Sequence, residues 1–147
     1  MKSMSKLVGN DYMRKTRIEQ KLAELDTYLN ELQLILPNPE DYTKNLVTRR
    51  AAEKTLELCI ETVLDIANLI VSEENLGFPD DETHAIQLLS TSIIPEELAK
   101  QLLRMKGFRN ILIHRYAAIQ PELVISYLTD HIKDFSEFKQ AITKYLQ

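Results

Sequence analysis

The chain has 147 residues, of which 44% are hydrophobic and 27% charged, a balance that suits one folded domain and excludes wholesale disorder. Three glycines and five prolines are too few for the many turns of a β-sandwich or barrel. The single cysteine, Cys59, excludes an internal disulfide and a cysteine-based zinc site. The formal net charge of -4 excludes a global basic field, so any RNA or DNA contact would need a local patch.

Residues 1–13 contain lysines but neither the apolar run nor the cleavage site of a signal peptide. No segment approaches the roughly 18 to 20 apolar residues of a membrane span. We therefore expect a single domain over residues 1–147, with a mobile N-terminal tail over 1–13, no membrane contact and a cytoplasmic location.

Apolar residues recur at steps of three and four along most of the chain, which is the spacing of amphipathic helices. The first predicted helix runs from about Arg14 to Leu36 and ends at Pro37-Asn38-Pro39, because proline has no backbone donor. The second runs from about Glu40 to Glu74, with Gly77 as a plausible C-terminal stop.

The buried stripe of the second helix is predicted to begin at Leu46 and to include Cys59 as a core residue. Polar residues such as Glu53 and Glu61 are expected to face mostly away from that stripe. Asp65 lies within an apolar run, so it either orients a site residue of a neighbouring helix or contacts water at an edge.

Three further helices are predicted, over about 82–90, from Pro95 to His114 or Tyr116, and from Pro121 to the end of the chain. Gly107 lies inside the second of these, where glycine costs about 1 kcal/mol relative to alanine. It therefore indicates either the close approach of another backbone or a site that needs room. Together the segments predict an all-α, antiparallel four-helix bundle, with or without a short extra helix.

Chemically capable side chains concentrate at the end of the third long helix. Asn110 and His114 are four residues apart and share a helix face. Arg109 and His114 are about 140° apart around an ideal helix, so they meet only if Arg109 reaches round or if a symmetric interface joins them. A histidine transfers protons near neutrality, and the planar fork of an arginine binds phosphate oxygens. The end of this helix therefore combines a group that can transfer a proton with one that can bind an anion.

The pattern Arg109-x4-His114-x-Tyr116 resembles the Arg-x4-His-x-Tyr motif of the HEPN superfamily, and in particular the HepT-type (DUF86) toxin ribonucleases. The second helix, the run from Ile94 to Asn110 and the last helix also resemble that family, so the resemblance covers roughly residues 16–146. It implies a metal-independent endoribonuclease without a cofactor, acting as a homodimer whose two motifs line a shared cleft.

Within that scheme His114 is the candidate acid and base, Arg109 stabilises the phosphate, and Asn110 orients His114 or the substrate. One histidine per chain does not easily supply both an acid and a base, so pairing of two His114 side chains in the dimer is attractive. The resemblance also implies a partner, a minimal nucleotidyltransferase antitoxin that adenylylates Tyr116 in a type II/VII-like toxin–antitoxin module. AMP would add bulk and negative charge where substrate phosphate should lie.

Several basic residues near the motif and at the start of the second helix are candidate RNA contacts, because backbone phosphates need only positive charge. Each of them could equally be a solvated charge on a helix surface. The candidates are Arg49, Arg50, Arg104, Lys106 and Arg115.

Other interpretations remain open at this point. A non-catalytic helical adaptor that binds a nucleotidyltransferase or a nucleotide would have no need for the Arg109 and His114 pair, and a histidine phosphotransfer bundle needs an accessible histidine in mid-helix. Arg109 and His114 could be a surface cation and a histidine favoured by the helix dipole, and Tyr116 a packed ring with a solvated hydroxyl. His84 and His131 lack metal-binding spacing, so no metal site is predicted.

Overall fold

The computed structural model describes residues 3–114 and 118–147, and its regular elements within those ranges are all helical, as predicted. The elements are α1 (Ser3–Ile35), a short 3-10 helix (Pro39–Thr43), α2 (Leu46–Glu73), α3 (Glu82–Leu89), α4 (Glu96–His114), α5 (Pro121–Thr129) and α6 (Lys133–Leu146). The predicted short helix after Gly77 and the predicted long helix after Pro95 are both confirmed.

The first helix is longer than predicted, because α1 begins at Ser3 rather than near Arg14. No proline interrupts residues 3–13, and the lysine, leucine and methionine in this segment have high helix propensity. The helix therefore includes the segment expected to be a tail, whose mobility stays a prediction.

The second helix begins later than predicted, because two asparagines divide its start into separate turns. The side chain of Asn38 accepts a hydrogen bond from the backbone N–H of Glu40 (3.1 Å), which starts the 3-10 helix. The side chain of Asn45 accepts one from the N–H of Thr48 (2.9 Å), which starts α2. Leu46 is consequently the first residue of α2 and is 62% exposed, so its predicted place in the buried stripe is wrong.

The core is organised around α2, which packs against α1, α3 and α4. The predicted stripe is otherwise confirmed from Leu56 to Ile70, and its side chains are fully buried at Leu56, Ile60, Val63, Ile66 and Ile70. Cys59 is also fully buried, and burial raises the pKa of its thiol to about 12. This thiol is therefore a core group, as expected, and is protonated at neutral pH.

The predicted final helix is divided into α5 and α6. The Thr129 hydroxyl donates to the carbonyl of Ile125 (2.8 Å), and the N–H groups of Asp130 and His131 both donate to the carbonyl of Ser126 (2.7 and 3.3 Å). These bonds close the end of α5 before α6 begins at Lys133. The apolar stripe nevertheless continues across the break, because Val124 on α5 and Phe135, Phe138 and Ile142 on α6 are fully buried.

Of the two explanations predicted for Gly107, the close approach of another backbone is wrong for the described residues. A Cβ atom added to this glycine would meet nothing within 4 Å, and the residue lies on an exposed face of α4. The other explanation, a site that needs room, stays a prediction. The described ranges also contain no helix with both the length and the apolar character that crossing a membrane requires.

Candidate active site

The predicted catalytic residues lie on the last two turns of α4. Phe108 and Leu112 bury one face of these turns, and Asn110 and His114 are exposed on the rest of the surface. His114 is the last residue of the helix, where a cation is favoured by the negative end of the helix dipole. Arg115 and Tyr116 lie outside the described residues.

Arg109 is the most enclosed polar residue of the motif, with only 8% of its surface exposed. Its Nη1 donates to Oε1 of Glu61 on α2 (2.9 Å), and its Nη2 donates to Glu82 at the start of α3. Its Nε donates to Oδ1 of the neighbouring Asn110 (3.1 Å). Arg109 therefore joins three helices, and all three guanidinium nitrogens already have an acceptor.

The environment of Arg109 keeps it protonated. Burial by itself lowers the pKa of the guanidinium, but the hydrogen bonds to Glu82 and Glu61 outweigh that effect, and the pKa is raised above its usual value. Glu61 and Glu82 keep about a third of their side-chain surface in water, so the ion pairs are screened on one side.

Two functional neighbours of Arg109 were missed by the sequence analysis. Glu61 was expected to face mostly away from the buried stripe, but it lies half-buried against Arg109, and Glu82 was given no role. They are 48 and 27 residues from Arg109 in the chain, so no local spacing could have identified them.

A groove lies between the first half of α2 and the last turn of α4. Its volume is about 430 Å³, and its walls include Arg50 and Lys54 on α2 and Leu112 and Ile113 on α4. Arg50 and Lys54 are substantially exposed (42% and 63% of their side chains) and are paired with glutamates of the same helix. Because Ile113 precedes His114, this groove brings exposed cations to the motif end of α4.

The two arginines at the start of α2 are organised by a buried glutamate. Glu53 is 7% exposed and accepts hydrogen bonds from the Tyr42 hydroxyl and from Nη1 of Arg50 (2.8 Å). The Arg49 guanidinium lies over the Tyr42 ring, 5.9 Å from its centroid. Burial and the hydrogen bond to Glu53 raise the pKa of Tyr42, so its hydroxyl stays a donor. The prediction that Glu53 faces outward is therefore wrong, because Tyr42 supplies a buried partner.

Two further basic candidates lie away from this groove. Arg104 is exposed earlier on α4, and Nζ of Lys106 donates to Oγ1 of Thr83 on α3 (2.8 Å). Neither residue lines the groove, and Arg115 lies outside the described residues. The structure thus brings Arg50 to the motif end of α4 and places Arg104 and Lys106 elsewhere on the helix surface.

Asp65 lies at an edge of the bundle, where its ion-pair partner among the described residues is Lys21. Its side chain is 54% exposed, and Oδ2 lies 3.6 Å from Nζ of Lys21 on α1. This position agrees with the second of the two roles considered, while Arg115 and Tyr116 of the motif lie outside the described residues. Across the described ranges, no cluster of three or more histidine, cysteine, aspartate or glutamate side chains could hold a metal ion.

A family model and two curated relatives that the chain resembles are all described as HepT or HepT-like nucleases. A family model described as ribonuclease HepT-like matches residues 18–142. The chain is 26% identical over 126 residues to the mRNA nuclease HepT of Shewanella oneidensis, covering 85% of this chain and 95% of the relative. It is 28% identical over 131 residues to the tRNA nuclease HepT of Aphanizomenon flos-aquae, covering 88% of this chain and 89% of the relative.

A solved structure shows the same fold. The tri-AMPylated Shewanella oneidensis HEPN toxin, in complex with an MNT antitoxin, superimposes with a TM-score of 0.80 at 26% sequence identity. The match covers 86% of this chain and 96% of that chain.

Proposed function

The chain belongs to the ribonuclease HepT-like family, and from that premise we propose that it is a toxin of a toxin–antitoxin module, an endoribonuclease that works without a metal ion. The observation that carries the proposal is the arrangement on α4. An exposed His114 ends the helix beside a groove lined by Arg50 and Lys54, and five residues before it Arg109 is held in place by three acceptors.

The reaction that suits these groups is transesterification within RNA. His114 removes the proton from a ribose 2′-hydroxyl, and the 2′-oxygen attacks the adjacent phosphorus. Arg109 stabilises the additional negative charge of the phosphorane. The bond from phosphorus to the 5′-oxygen then breaks, and that oxygen takes a proton from an acid. The products are a 2′,3′-cyclic phosphate and a 5′-hydroxyl end.

The acid that protonates the leaving oxygen is a second imidazole. We assign it to His114 of a second copy of the chain, because each chain has only one histidine in the motif and the two steps need opposite protonation states. The active form is thus a homodimer whose two α4 ends face one RNA strand, with Arg50 and Lys54 of the groove contacting backbone phosphates.

Cleavage of RNA in the presence of EDTA tests this proposal. The purified chain, free of any partner, is expected to cut single-stranded RNA and to leave 2′,3′-cyclic phosphate ends, detected by mass spectrometry. A DNA oligonucleotide of the same sequence is the control, since it has no 2′-hydroxyl and is expected to stay intact. Intact RNA would contradict the proposal and favour the non-catalytic adaptor. Equal cutting of DNA would contradict attack by the 2′-hydroxyl.

The partner in this proposal is a minimal nucleotidyltransferase that silences the toxin by adenylylating Tyr116. The solved structure of the Shewanella oneidensis toxin, described as tri-AMPylated and bound to an MNT antitoxin, supports this class of partner. AMP at the motif would oppose substrate binding by charge and by bulk.

Coexpression with an MNT-domain protein is expected to add AMP to Tyr116 and to abolish RNA cleavage, as measured by peptide mass spectrometry and by the cleavage assay. A Tyr116→Phe variant should remain unmodified at this position and active in the presence of the partner. Tyr12→Phe is the matched control, because Tyr12 is 69% exposed and lies on α1. Modification of wild type that leaves Tyr116 free would refute the residue assignment.

A further inference from the structure

The contacts of Arg109 raise a question that the proposed reaction does not answer. Its Nη1, Nη2 and Nε atoms donate to Glu61, Glu82 and Asn110, and the residue is almost completely buried. These bonds use three of the five N–H groups of the guanidinium, and the other two belong to the same almost completely buried group. A phosphodiester that binds Arg109 through two oxygens therefore competes with the existing acceptors for its donors.

Charge leads to the same conclusion. Arg109 carries one positive charge and its two carboxylate partners carry two negative charges, so the cluster has a formal charge of -1. A cluster with that sign repels a phosphate at close range. Lys106 donates to Thr83 beside Glu82, and Lys54 lies within the field of Glu61, so part of this charge is offset. Arg109 nevertheless stabilises the extra charge of a phosphorane better when one carboxylate has moved away from it.

The two carboxylates differ in how easily they can leave. Glu61 lies in the middle of the 28-residue α2, between the buried residues Ile60 and Thr62. Glu82 is the first residue of the eight-residue α3, directly after a loop that contains two residues with positive φ, Asn75 and Gly77. Rotation of the Glu82 side chain into water disturbs no core packing, and it stays near the favourable positive end of α3.

We propose that Glu82 competes with the RNA phosphate for Arg109, so that substrate binding displaces the Glu82 carboxylate while Glu61 keeps the guanidinium in position. This inference rests on the proposed ribonuclease function, since it gives the Glu82 contact a meaning only if Arg109 meets a phosphate. Glu82 is then a restraint on substrate binding, and Glu61 is a positioning residue for Arg109.

RNA binding without turnover is the direct test. In a His114→Ala background, Glu82→Gln is expected to bind a fluorescein-labelled, mixed-sequence RNA oligonucleotide about threefold tighter or more, because one repulsive charge next to the phosphate is removed. Asp80→Asn is the matched control. It removes a charge two residues away, on a side chain that is 92% exposed and pairs with His84 instead of Arg109. Fluorescence anisotropy measures both dissociation constants.

A second variant separates the contact from the charge. Glu82→Asp keeps the negative charge in the first turn of α3 but shortens the side chain by one methylene, which withdraws it from Arg109. It is also expected to bind RNA more tightly than the His114→Ala parent, and circular dichroism checks that α3 is retained. Equal binding by Glu82→Gln and Asp80→Asn, or weaker binding by both Glu82 variants, would overturn the inference.

Steady-state cleavage separates competition at Arg109 from a purely structural role of Glu82, because a structural role would not change KM alone. With His114 present, Glu82→Gln is expected to lower KM with little change in kcat, whereas Glu61→Gln is expected to lower kcat. Failure of the two ideas can be told apart. If wild type cuts RNA and Glu82→Gln leaves KM and binding unchanged, only the competition is wrong. If wild type does not cut RNA but Glu82→Gln binds it more tightly, the ribonuclease proposal fails and the competition at Arg109 remains.

Discussion

Replacement of His114 by alanine is expected to lower the rate of RNA cleavage by about 10²- to 10⁴-fold. The imidazole is the group proposed to move protons in both steps, and no other histidine of the chain lies on α4. The fold should survive, because His114 is an exposed residue at the very end of its helix, where it contributes no more than about 1 kcal/mol through the helix dipole. Cleavage and thermal unfolding are measured on the same preparations.

His84→Ala is the matched control for this variant. His84 is a partly exposed imidazole on α3 whose Nδ1 accepts the N–H of Asp80 (3.0 Å), so its replacement removes an imidazole from the same molecule without changing a residue of the motif. We expect near wild-type cleavage from it. Equal cleavage by His114→Ala and wild type would remove His114 from the reaction.

The pH dependence of the wild-type rate follows from the same role. An imidazole that takes a proton on one copy and an imidazolium that gives one on the other need opposite protonation states, so the rate is expected to pass through a maximum with pH and to give a bell-shaped profile. His114→Ala should remove this dependence from its residual rate. A wild-type rate that does not change between pH 5 and 8 would count heavily against proton transfer by a histidine.

Arg109→Lys is expected to lower cleavage by about 10²- to 10³-fold while keeping the positive charge. An ammonium group is a point donor and cannot meet Glu61, Glu82 and Asn110 at once in the planar arrangement that the guanidinium makes. The variant should also be less stable by about 1 to 2 kcal/mol, a reduced figure because both carboxylates are partly in water. Urea unfolding measures the stability, and the cleavage assay the activity.

Two outcomes of this experiment are informative in different ways. Arg104→Lys, on an exposed side chain of the same helix, is the control and should change neither quantity. Lost stability with wild-type cleavage would make Arg109 a structural link between three helices and nothing more. Lost cleavage at wild-type stability would show that the fold tolerates a lysine at position 109 and that only the reaction needs the planar guanidinium.

Much of the fold could be predicted because burial leaves a periodic trace in the sequence. The stripe from Leu56 to Ile70 is fully buried on α2, and such a stripe is readable from spacing alone. The break between α5 and α6 has no such trace. It is made by backbone groups that converge on the carbonyl of Ser126 and by the Thr129 hydroxyl, without a glycine or proline to mark it, while the apolar pattern runs on.

The candidate site was predictable only where its residues are neighbours in the chain. Arg109, Asn110 and His114 share one helix and could be grouped by their spacing. The partners that decide the state of Arg109 come from α2 and α3, and long-range pairing of charges follows from how helices pack, which spacing does not encode. Glu53 is a similar case, because its outward position was inferred without knowing that Tyr42 would supply a buried donor.

The hydrogen bond between Tyr42 and Glu53 limits how far one wall of the groove can move when RNA binds. It fastens the connection between α1 and α2 to the body of α2, and the same carboxylate steadies Arg50. Because the Tyr42 side chain is buried and bonded to α2, the connection between α1 and α2 is not expected to act as a hinge. The α2 side of the groove therefore has the same shape before and after RNA binds. Whatever adjustment RNA demands must come from the long side chains on that side or from the opposite wall formed by α4.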